Sequence, residues 1–337
     1  MKKNYLDIID PIHDFIRVYD YELPIIDNPL FQRLRRVKQL SGAHLTYPSA
    51  QHSRFEHSLG VMHIATEAGF ALNEKGFLNS DDVQILRLAG LLHDIGHGPF
   101  SHLFEEVIQD KKTSHEDYGK KIILNSEIGD VLSKTGFDKK IIAQIAFGES
   151  KFQYLNEIIS GSLSADMMDY LLRDGYFTGA EHANVDHKRI TQSLHIHKKK
   201  IALERSALYS FESMMHSRYQ MFKAVYFHKT VRAAEVMLIQ ALRLSDDEFG
   251  FSSFNLDEFV KLTDEFVLSS IISSKSSKLK RARQLTENYQ NRKLLKCVFE
   301  RILTSQTNLK KTRTDELRLE LSKKSKIDEN EIFVDSS

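Results

Sequence analysis

A mostly α-helical protein with a few short strands is the architecture this sequence predicts. Three observations carry that expectation. The 337 residues hold only 15 glycines and 5 prolines, so few positions interrupt a helix. Apolar residues recur at the 3.6-residue period over several long segments. Segments with strand-like composition are short and scarce.

Taken in order, Tyr5-Leu6-Asp7-Ile8-Ile9 and Phe15-Ile16-Arg17-Val18 predict a hairpin that turns around Asp10-Pro11. Residues 55–74 place Leu59, Met62, Ala65 and Ala68 or Gly69 on one stripe of a helix. The next helix, 81–93, takes Ser80 as its N-cap and carries Asp81 and Asp82 in its first turn, where the helix dipole favours acids. It stops near Gly96-His97-Gly98-Pro99. Residues 207–244 read as one or two long helices, a strand pair is expected near 194–203, and a terminal strand at Ile332-Phe333-Val334. No repeat period is present.

Composition excludes several function classes. The formal charge is +1, so the whole molecule is not a strongly basic nucleic-acid binder. A single cysteine, Cys297, excludes a disulfide scaffold and a zinc site built from several thiolates, and it suits a reducing compartment. The first residues lack the apolar run of a signal peptide, and no apolar stretch of 18 residues occurs. A cytoplasmic protein with no membrane association is expected. Charge is uneven along the chain. From Ile271 onward 16 Lys/Arg face 9 Asp/Glu, a net of +7 that leaves −6 for the first 270 residues. A solvated helical face explains such a run, and so would an anion-attracting lobe.

Histidine is concentrated. Eight of the fifteen (His44, His52, His57, His63, His93, His97, His102 and His115) fall between 44 and 115, which suits metal ligation and proton transfer near neutral pH. The densest run is Leu91-Leu92-His93-Asp94-Ile95-Gly96-His97-Gly98-Pro99-Phe100-Ser101-His102. There an apolar helix delivers His and Asp at its C-terminal end, ahead of a glycine-rich turn. Upstream, Ser53-Arg54-Phe55-Glu56-His57-Ser58-Leu59-Gly60 adds a histidine three residues after an arginine. Downstream, Asp166, Tyr170 and Asp174 share one helical face, whereas Asp169 and Arg173, four apart on another face, read as a structural pair. His63, His182, His187, His195, His197 and His216 read as structural.

The H…HD…D order of His57, His93-Asp94 and Asp166 resembles the HD-domain metal-dependent phosphohydrolases. The likeness extends over roughly residues 5–300. Phe31-Gln32-Arg33-Leu34-Arg35, Lys38-Gln39-Leu40, Tyr47-Pro48, Ser114-His115-Glu116 and Asp169-Tyr170-Leu171-Leu172-Arg173-Asp174 are similar to runs of the SAM-and-HD-domain deoxynucleoside triphosphate (dNTP) triphosphohydrolases. The resemblance implies a helical-bundle catalytic core over 1–250 and a basic helical C-terminal lobe over 251–337 packed on it. It implies that His57, His93, Asp94 and Asp166 hold one divalent ion, and a mixed nitrogen and oxygen set admits Fe, Mn, Zn or Mg. Additional Mg would travel with the nucleotide phosphates. Arg54 and His97 would contact the triphosphate, with His102 beside the α-phosphate and His115 as general acid on the departing 5′ oxygen. Gln39, Leu40, Tyr170, Asp174 and Tyr226 would line the deoxyribose, and Arg218 would reach the phosphates or the base edge. The implied products are a deoxynucleoside and inorganic triphosphate.

The resemblance also implies a guanine-nucleotide (GTP or dGTP) activator at Asp27, Gln32 and Arg35 and a homo-oligomer, dimer or tetramer. Against the activator stands the reading of Arg33, Arg35 and Arg36 as a basic helix face. Met167 and Phe222 stand where relatives carry a lysine and a histidine, which removes two polar contacts. No SAM domain is expected ahead of the match. Two alternatives remain: a phosphohydrolase of another nucleotide ester, and a module binding nucleotide or single-stranded nucleic acid through Lys278, Lys280, Arg281 and Arg283.

Overall fold

The computed structural model describes residues 4–108, 113–300 and 311–335. The chain opens with an antiparallel hairpin, β1 (Tyr5–Asp10) and β2 (Asp14–Tyr19), in the register Ile8 opposite Ile16. Two single-turn helices follow, α1 (Leu23–Ile26) and α2 (Pro29–Gln32), and then a 3₁₀ turn, Arg33–Arg36. The helical body comprises α3 (Arg54–Glu74), α4 (Ser80–Leu92), α5 (His102–Ile108), α6 (His115–Asn125), α7 (Glu127–Lys134), α8 (Lys139–Ala146), α9 (Gln153–Ile159), α10 (Ala165–Thr178) and α11 (His187–Gln192). A second hairpin, β3 (Leu194–His197) with β4 (Lys200–Leu203), leads into α12 (Leu208–Met221). The remainder is α13 (Lys229–Phe249), α14 (Leu256–Phe259), α15 (Asp264–Ser273), α16 (Lys280–Gln290) and α17 (Lys311–Ser325). The helical expectation and both expected hairpins hold.

Two local expectations are corrected, and a third is made specific. Asn79, not Ser80, caps α4: its side chain accepts the Asp81 and Asp82 N–H groups, and Asp82 accepts the Asn79 N–H in return. The 207–244 stretch forms two helices, one of the two forms expected, α12 and α13 being separated by a π-helical turn, Phe222–Tyr226. Ile332-Phe333-Val334 forms no strand, because nothing pairs with it; instead Asp335 beyond it clasps Arg232 at 2.8–2.9 Å.

Among the described residues the helices bury one small apolar cluster and two large ones. One gathers Ile64, Leu88, Leu91, Ile122, Leu155, Met168 and Leu171 around the α3–α4 pair. The other joins Phe100, Phe104 and Tyr118 to Met237, Leu242, Phe259 and Leu285, so the segment after the His-Asp motif packs on α13–α16. Two glycines permit the close approaches that shape the site. A Cβ on Gly60 would strike the Asp169 carboxylate and stand 2.6 Å from Arg173 Nη2, so only glycine lets α10 press against α3 here. A Cβ on Gly96 would collide with the His115 carbonyl and lie 2.7 Å from the Gly119 Cα, so glycine lets the motif turn touch α6. No helix of the described residues is long and apolar enough to cross a membrane.

Candidate metal centre and its adjoining histidines

Three helices deliver the four implied ligands to one place. Ser53 starts α3 with a capping box in which Glu56 accepts the Ser53 N–H at 2.9 Å, and this fixes His57 in the first turn. His93 is the C-cap of α4, with Asp94 directly after it. Asp166 sits in the first turn of α10, behind the Ser164 N-cap. His57 Nε2 stands 3.2 Å from Asp166 Oδ1 and 3.7 Å from Asp94 Oδ2. His93 Nε2 stands 3.3 Å from Asp94 Oδ1 and 4.0 Å from Asp166 Oδ1.

These donors fit a cation. His57 pairs through Nδ1 with Asp169 at 2.8 Å, and His93 through Nδ1 with the Gly90 carbonyl at 2.8 Å. Each ring thereby spends its N–H on Nδ1 and turns the Nε2 lone pair inward. Both Nε2 atoms are buried and have no hydrogen-bond partner. Ligand bonds of about 2.0–2.2 Å give shell edges of roughly 3.0–3.6 Å, close to most of these separations. The electrostatics agree. Burial opposes a charged His57, yet the Asp166 and Asp169 carboxylates beside it push the ring up to about 10, so the pocket favours positive charge. Burial alone would raise the Asp94 carboxyl, but Arg54 and the neighbouring imidazoles hold it well below the usual range.

Arg54 donates from Nη1 to Asp94 Oδ2 and from Nε to Ser101 Oγ, and it is buried, so in this state it braces the ligand carboxylate. The turn after the motif is strained and pinned. Phe100 and Ser101 take φ +56° and +55°. The Phe100 N–H donates to Asp264 at 2.8 Å, Ser41 Oγ donates to the Phe100 carbonyl at 2.7 Å, and Ser101 Oγ donates to the Lys38 carbonyl at 2.9 Å. Such backbone costs about 1–3 kcal/mol per residue and persists only where its surroundings over-determine it.

Beside the ligands lies a histidine group. His97 stacks on His115 at 4.0 Å, and His102 meets both rings edge-on at 5.0 and 5.9 Å. Burial and the Arg54 charge depress the His97 ring well below its ordinary value, so it is neutral. Glu105 binds His115 through its Nδ1 and, at 3.0 Å, its backbone N–H, and accepts from His102 Nδ1 at 3.1 Å. The His102 side chain is 72% exposed, which makes this the open side of the centre.

The implied sugar-binding residues form a connected set. The Gln39 N–H donates to the His52 carbonyl at 3.1 Å, and the Gln39 Oε1 is buried without a partner. His52 Nε2 binds Asp174 Oδ1 at 2.7 Å, and the Tyr226 hydroxyl donates to Asp174 Oδ2 at 2.7 Å. Tyr170 faces Tyr226 at 6.5 Å, and Phe222 packs edge-on against Tyr226 at 5.1 Å. Burial pushes the Tyr170 phenol up to about 12, against the opposing charge of Arg218. Leu40 is half-buried against the core, and Met167 is buried.

At the expected activator position, Gln32 Nε2 donates to the Ile26 carbonyl, next to exposed Asp27, and Arg35 Nε donates to Gln32 Oε1, both at 2.8 Å. The guanidinium of Arg35 covers the Phe55 ring at 3.5 Å. Arg33 does not belong to a basic face. It is interior and donates to the Ile95, His97 and Leu262 carbonyls. In the basic lobe, Arg283 is spent on the Ser274 and Ser276 carbonyls and Arg281 on Glu331, which weakens the nucleic-acid reading.

Comparison with known proteins decides the family. The HD domain matches residues 54–174, and the HD associated region matches residues 185–337. A putative HD domain-containing protein of Acanthamoeba polyphaga mimivirus is 30% identical over 330 residues, 86% of this chain and 72% of that protein. This chain belongs to the HD-domain phosphohydrolase superfamily. Within it, the chain is similar to the deoxynucleoside triphosphate triphosphohydrolase SAMHD1 homolog of Dictyostelium discoideum, at 32% identity over 327 residues, 90% of this chain and 62% of that one. A phosphohydrolase structure from Bacteroides thetaiotaomicron superposes with a TM-score of 0.77 at 29% identity, over 97% of this chain and 85% of that one. The chain spans 49–64% of the length of several curated relatives it matches.

The HD centre also depends on residues the sequence left without a role. Asp169, read as one half of a structural pair, orients His57 and is itself fully buried against Arg173. Glu105 orients His115, and its spacing three residues after His102 was the available signal. His52 carries Asp174 but lies outside every helix, so no periodicity marked it.

Proposed function

We propose that this HD-domain protein hydrolyses deoxynucleoside triphosphates to a deoxynucleoside and inorganic triphosphate. The observation that carries the reading is the placement of two unpartnered imidazole Nε2 atoms and two carboxylates directly beside the His97–His102–His115 group. When bound, one divalent ion (Fe, Mn, Zn or Mg) would polarise a phosphoryl oxygen and lower the pKa of water. His57, His93, Asp94 and Asp166 would hold it.

The chain's own residues supply the rest. Arg54 keeps Asp94 ionised and in place, and the neutral His97, whose Nε2 stands 3.3 Å from Asp94 Oδ1, lies against the triphosphate. His115 protonates the leaving 5′ oxygen from Nε2, while Glu105 on Nδ1 fixes its orientation and stabilises its cation. His97, stacked on that ring and uncharged, adds no repulsion. His102 lies at the open side beside the α-phosphate. Asp174 retains lone pairs beyond those given to His52 and Tyr226, enough to accept a 3′ hydroxyl. Tyr226, fixed by Asp174, crowds the position of a 2′ hydroxyl, with Gln39, Leu40 and Tyr170 around the sugar and Arg218 toward the phosphates or base. Residues 1–250 act as the catalytic core and 251–337 as the lobe packed on it. Asp27, Gln32 and Arg35 bind a guanine-nucleotide activator within a homo-oligomer.

Turnover of each dNTP and its ribonucleotide counterpart, with Mn²⁺, Mg²⁺ or Fe²⁺ and with or without GTP, tests this. Deoxynucleoside plus intact triphosphate, from deoxy substrates only, is the expected outcome. Equal ribonucleotide turnover would remove Tyr226 from its role, and an absence of any GTP effect would remove the activator.

A further inference from the structure

His52 joins two of the implied sugar-binding segments. It lies just ahead of the Ser53 N-cap of α3, and its side chain is 0% exposed. Its ring stacks on Phe177, with centroids 4.7 Å and planes 16° apart. Phe177 follows Asp174 by three positions on α10, so one helix supplies both the carboxylate that the ring meets and the platform on which it rests. His52 Nε2 stands 2.7 Å from Asp174 Oδ1, and its Nδ1 is buried with no hydrogen-bond partner. A proton on Nδ1 would have no acceptor, so the ring's N–H is on Nε2 and donates to the carboxylate. The His52 carbonyl accepts the Gln39 N–H at 3.1 Å, beside a short antiparallel bridge between Lys38 and Ser53. One residue thus holds Asp174 with its ring and Gln39 with its backbone.

We propose that His52 is the positioning residue for recognition of the substrate's 3′ hydroxyl. The proposal rests on the dNTP reading above and deepens it at the sugar. Asp174 is buried, and a donor sits on each of its oxygens: His52 on Oδ1 and the Tyr226 hydroxyl on Oδ2, at 2.7 Å each. Burial and the Asp174 charge hold the Tyr226 phenol well above its ordinary value, so it stays protonated and donates. Two donors on different oxygens fix the carboxylate's rotation and aim the lone pairs that remain. Removing the His52 ring leaves Tyr226 as the one of these two donors still in place, and a carboxylate held at one oxygen turns about its Cβ–Cγ bond. The free lone pairs then lose the direction a 3′ hydroxyl needs, whereas a sugar without that hydroxyl loses nothing. His57 follows on α3, so the segment that fixes the sugar clamp also carries a ligand of the HD centre. A purely structural His52 would support substrates with and without a 3′ hydroxyl alike.

The test is kcat/KM of the full chain in Mn²⁺, for the dNTP it turns over fastest and for the matching 2′,3′-dideoxynucleotide. Wild type, His52→Leu and His52→Gln are compared. Wild type is expected to prefer the dNTP by at least about tenfold, the lower end for a hydrogen bond to a charged group. His52→Leu is expected to collapse that preference toward unity, through loss on the dNTP alone. Glutamine, whose amide donates in the place of Nε2, is expected to restore it. A parallel loss on both substrates in His52→Leu, or an unchanged preference, would overturn this inference and leave the dNTP reading standing. A wild type that turns over no dNTP overturns both. Equal wild-type use of the two substrates removes Asp174 from its role and this inference with it. Should His52→Leu misfold by circular dichroism, His52→Asn and His52→Gln decide, because asparagine is too short to reach Asp174. A preference kept by glutamine and lost by asparagine supports the positioning role, and the same preference in both overturns it.

Discussion

Replacing Asp169 with asparagine tests how the HD centre is organised. The carboxylate is fully buried and accepts from His57 Nδ1 at 2.8 Å, His13 Nε2 at 2.7 Å and Arg173 Nε and Nη2 at 2.9 and 3.0 Å. Asparagine keeps the shape but has one acceptor oxygen and one NH₂ donor, so one histidine must meet a donor. If that ring is His57, its proton moves to Nε2 and the lone pair facing the ligand set is lost. Loss of such a supporting carboxylate costs about 10–100-fold in metal affinity, or about 1.4–2.7 kcal/mol. Removing one partner of a buried ion pair adds a stability loss of about 3–5 kcal/mol. Arg173 keeps Asp10 at 2.9 Å, which points to the lower end. The expected outcome is a folded protein with Tm lowered by several degrees and metal affinity lowered at least tenfold, read by titration calorimetry and thermal unfolding. Metal affinity within twofold of wild type, in a folded variant, would refute the role given to Asp169.

Further outcomes follow from the same contacts. Glu105→Gln leaves metal stoichiometry unchanged but lowers kcat by about 10²–10⁴-fold, because His115 loses the group that orients it and stabilises its cation; single-turnover kinetics check this. Arg33→Met leaves the buried carbonyls of Ile95 and His97 without their donor at about 1–3 kcal/mol each, so both Tm and metal retention fall. For pH, burial pushes the Asp264 carboxyl up to about 6, against the backbone N–H groups of Lys38 and Phe100 that favour its charged form. The folded state therefore binds the proton more tightly than the unfolded chain, whose carboxyl titrates near 3.9. This contribution is full below about pH 4 and lost as pH rises through 6. Comparing denaturation of wild type and Asp264→Asn from pH 4 to 7 should show the wild type's relative stability falling with pH, and a flat difference would contradict the assignment.

The parts of the centre legible in the sequence are those that lie in contiguous runs. His93-Asp94, Arg54 with His57, and Asp166 each sit at a helix end whose capping and turn residues surround them in the chain, so local patterning marked both the helix boundary and the chemistry. What stayed illegible depends on contacts between distant segments. His13 and Asp169 are 156 positions apart, and no local pattern joins the turn of a hairpin to the middle of α10. Arg33 looks equivalent to Arg35 and Arg36 in a row of arginines, yet the 3₁₀ turn sends it inward alone. Ser80 and Asn79 are both good caps, and only the reciprocal bond from Asp82 chooses between them. Ile332-Phe333-Val334 has strand composition without a neighbour to pair with, and pairing is a tertiary event. The left-handed Phe100-Ser101 backbone was equally hidden, because nothing in those two residue types requests it.

The central claim is that the residues around the HD motif direct attack on the α-phosphorus of a deoxynucleoside triphosphate. Turnover in ¹⁸O-labelled water, followed by ³¹P NMR and mass spectrometry of both products, tests it most directly. The expected result is one labelled oxygen on the terminal phosphorus of inorganic triphosphate and none in the deoxynucleoside. Label in the deoxynucleoside, or release of pyrophosphate or orthophosphate in place of triphosphate, would contradict it.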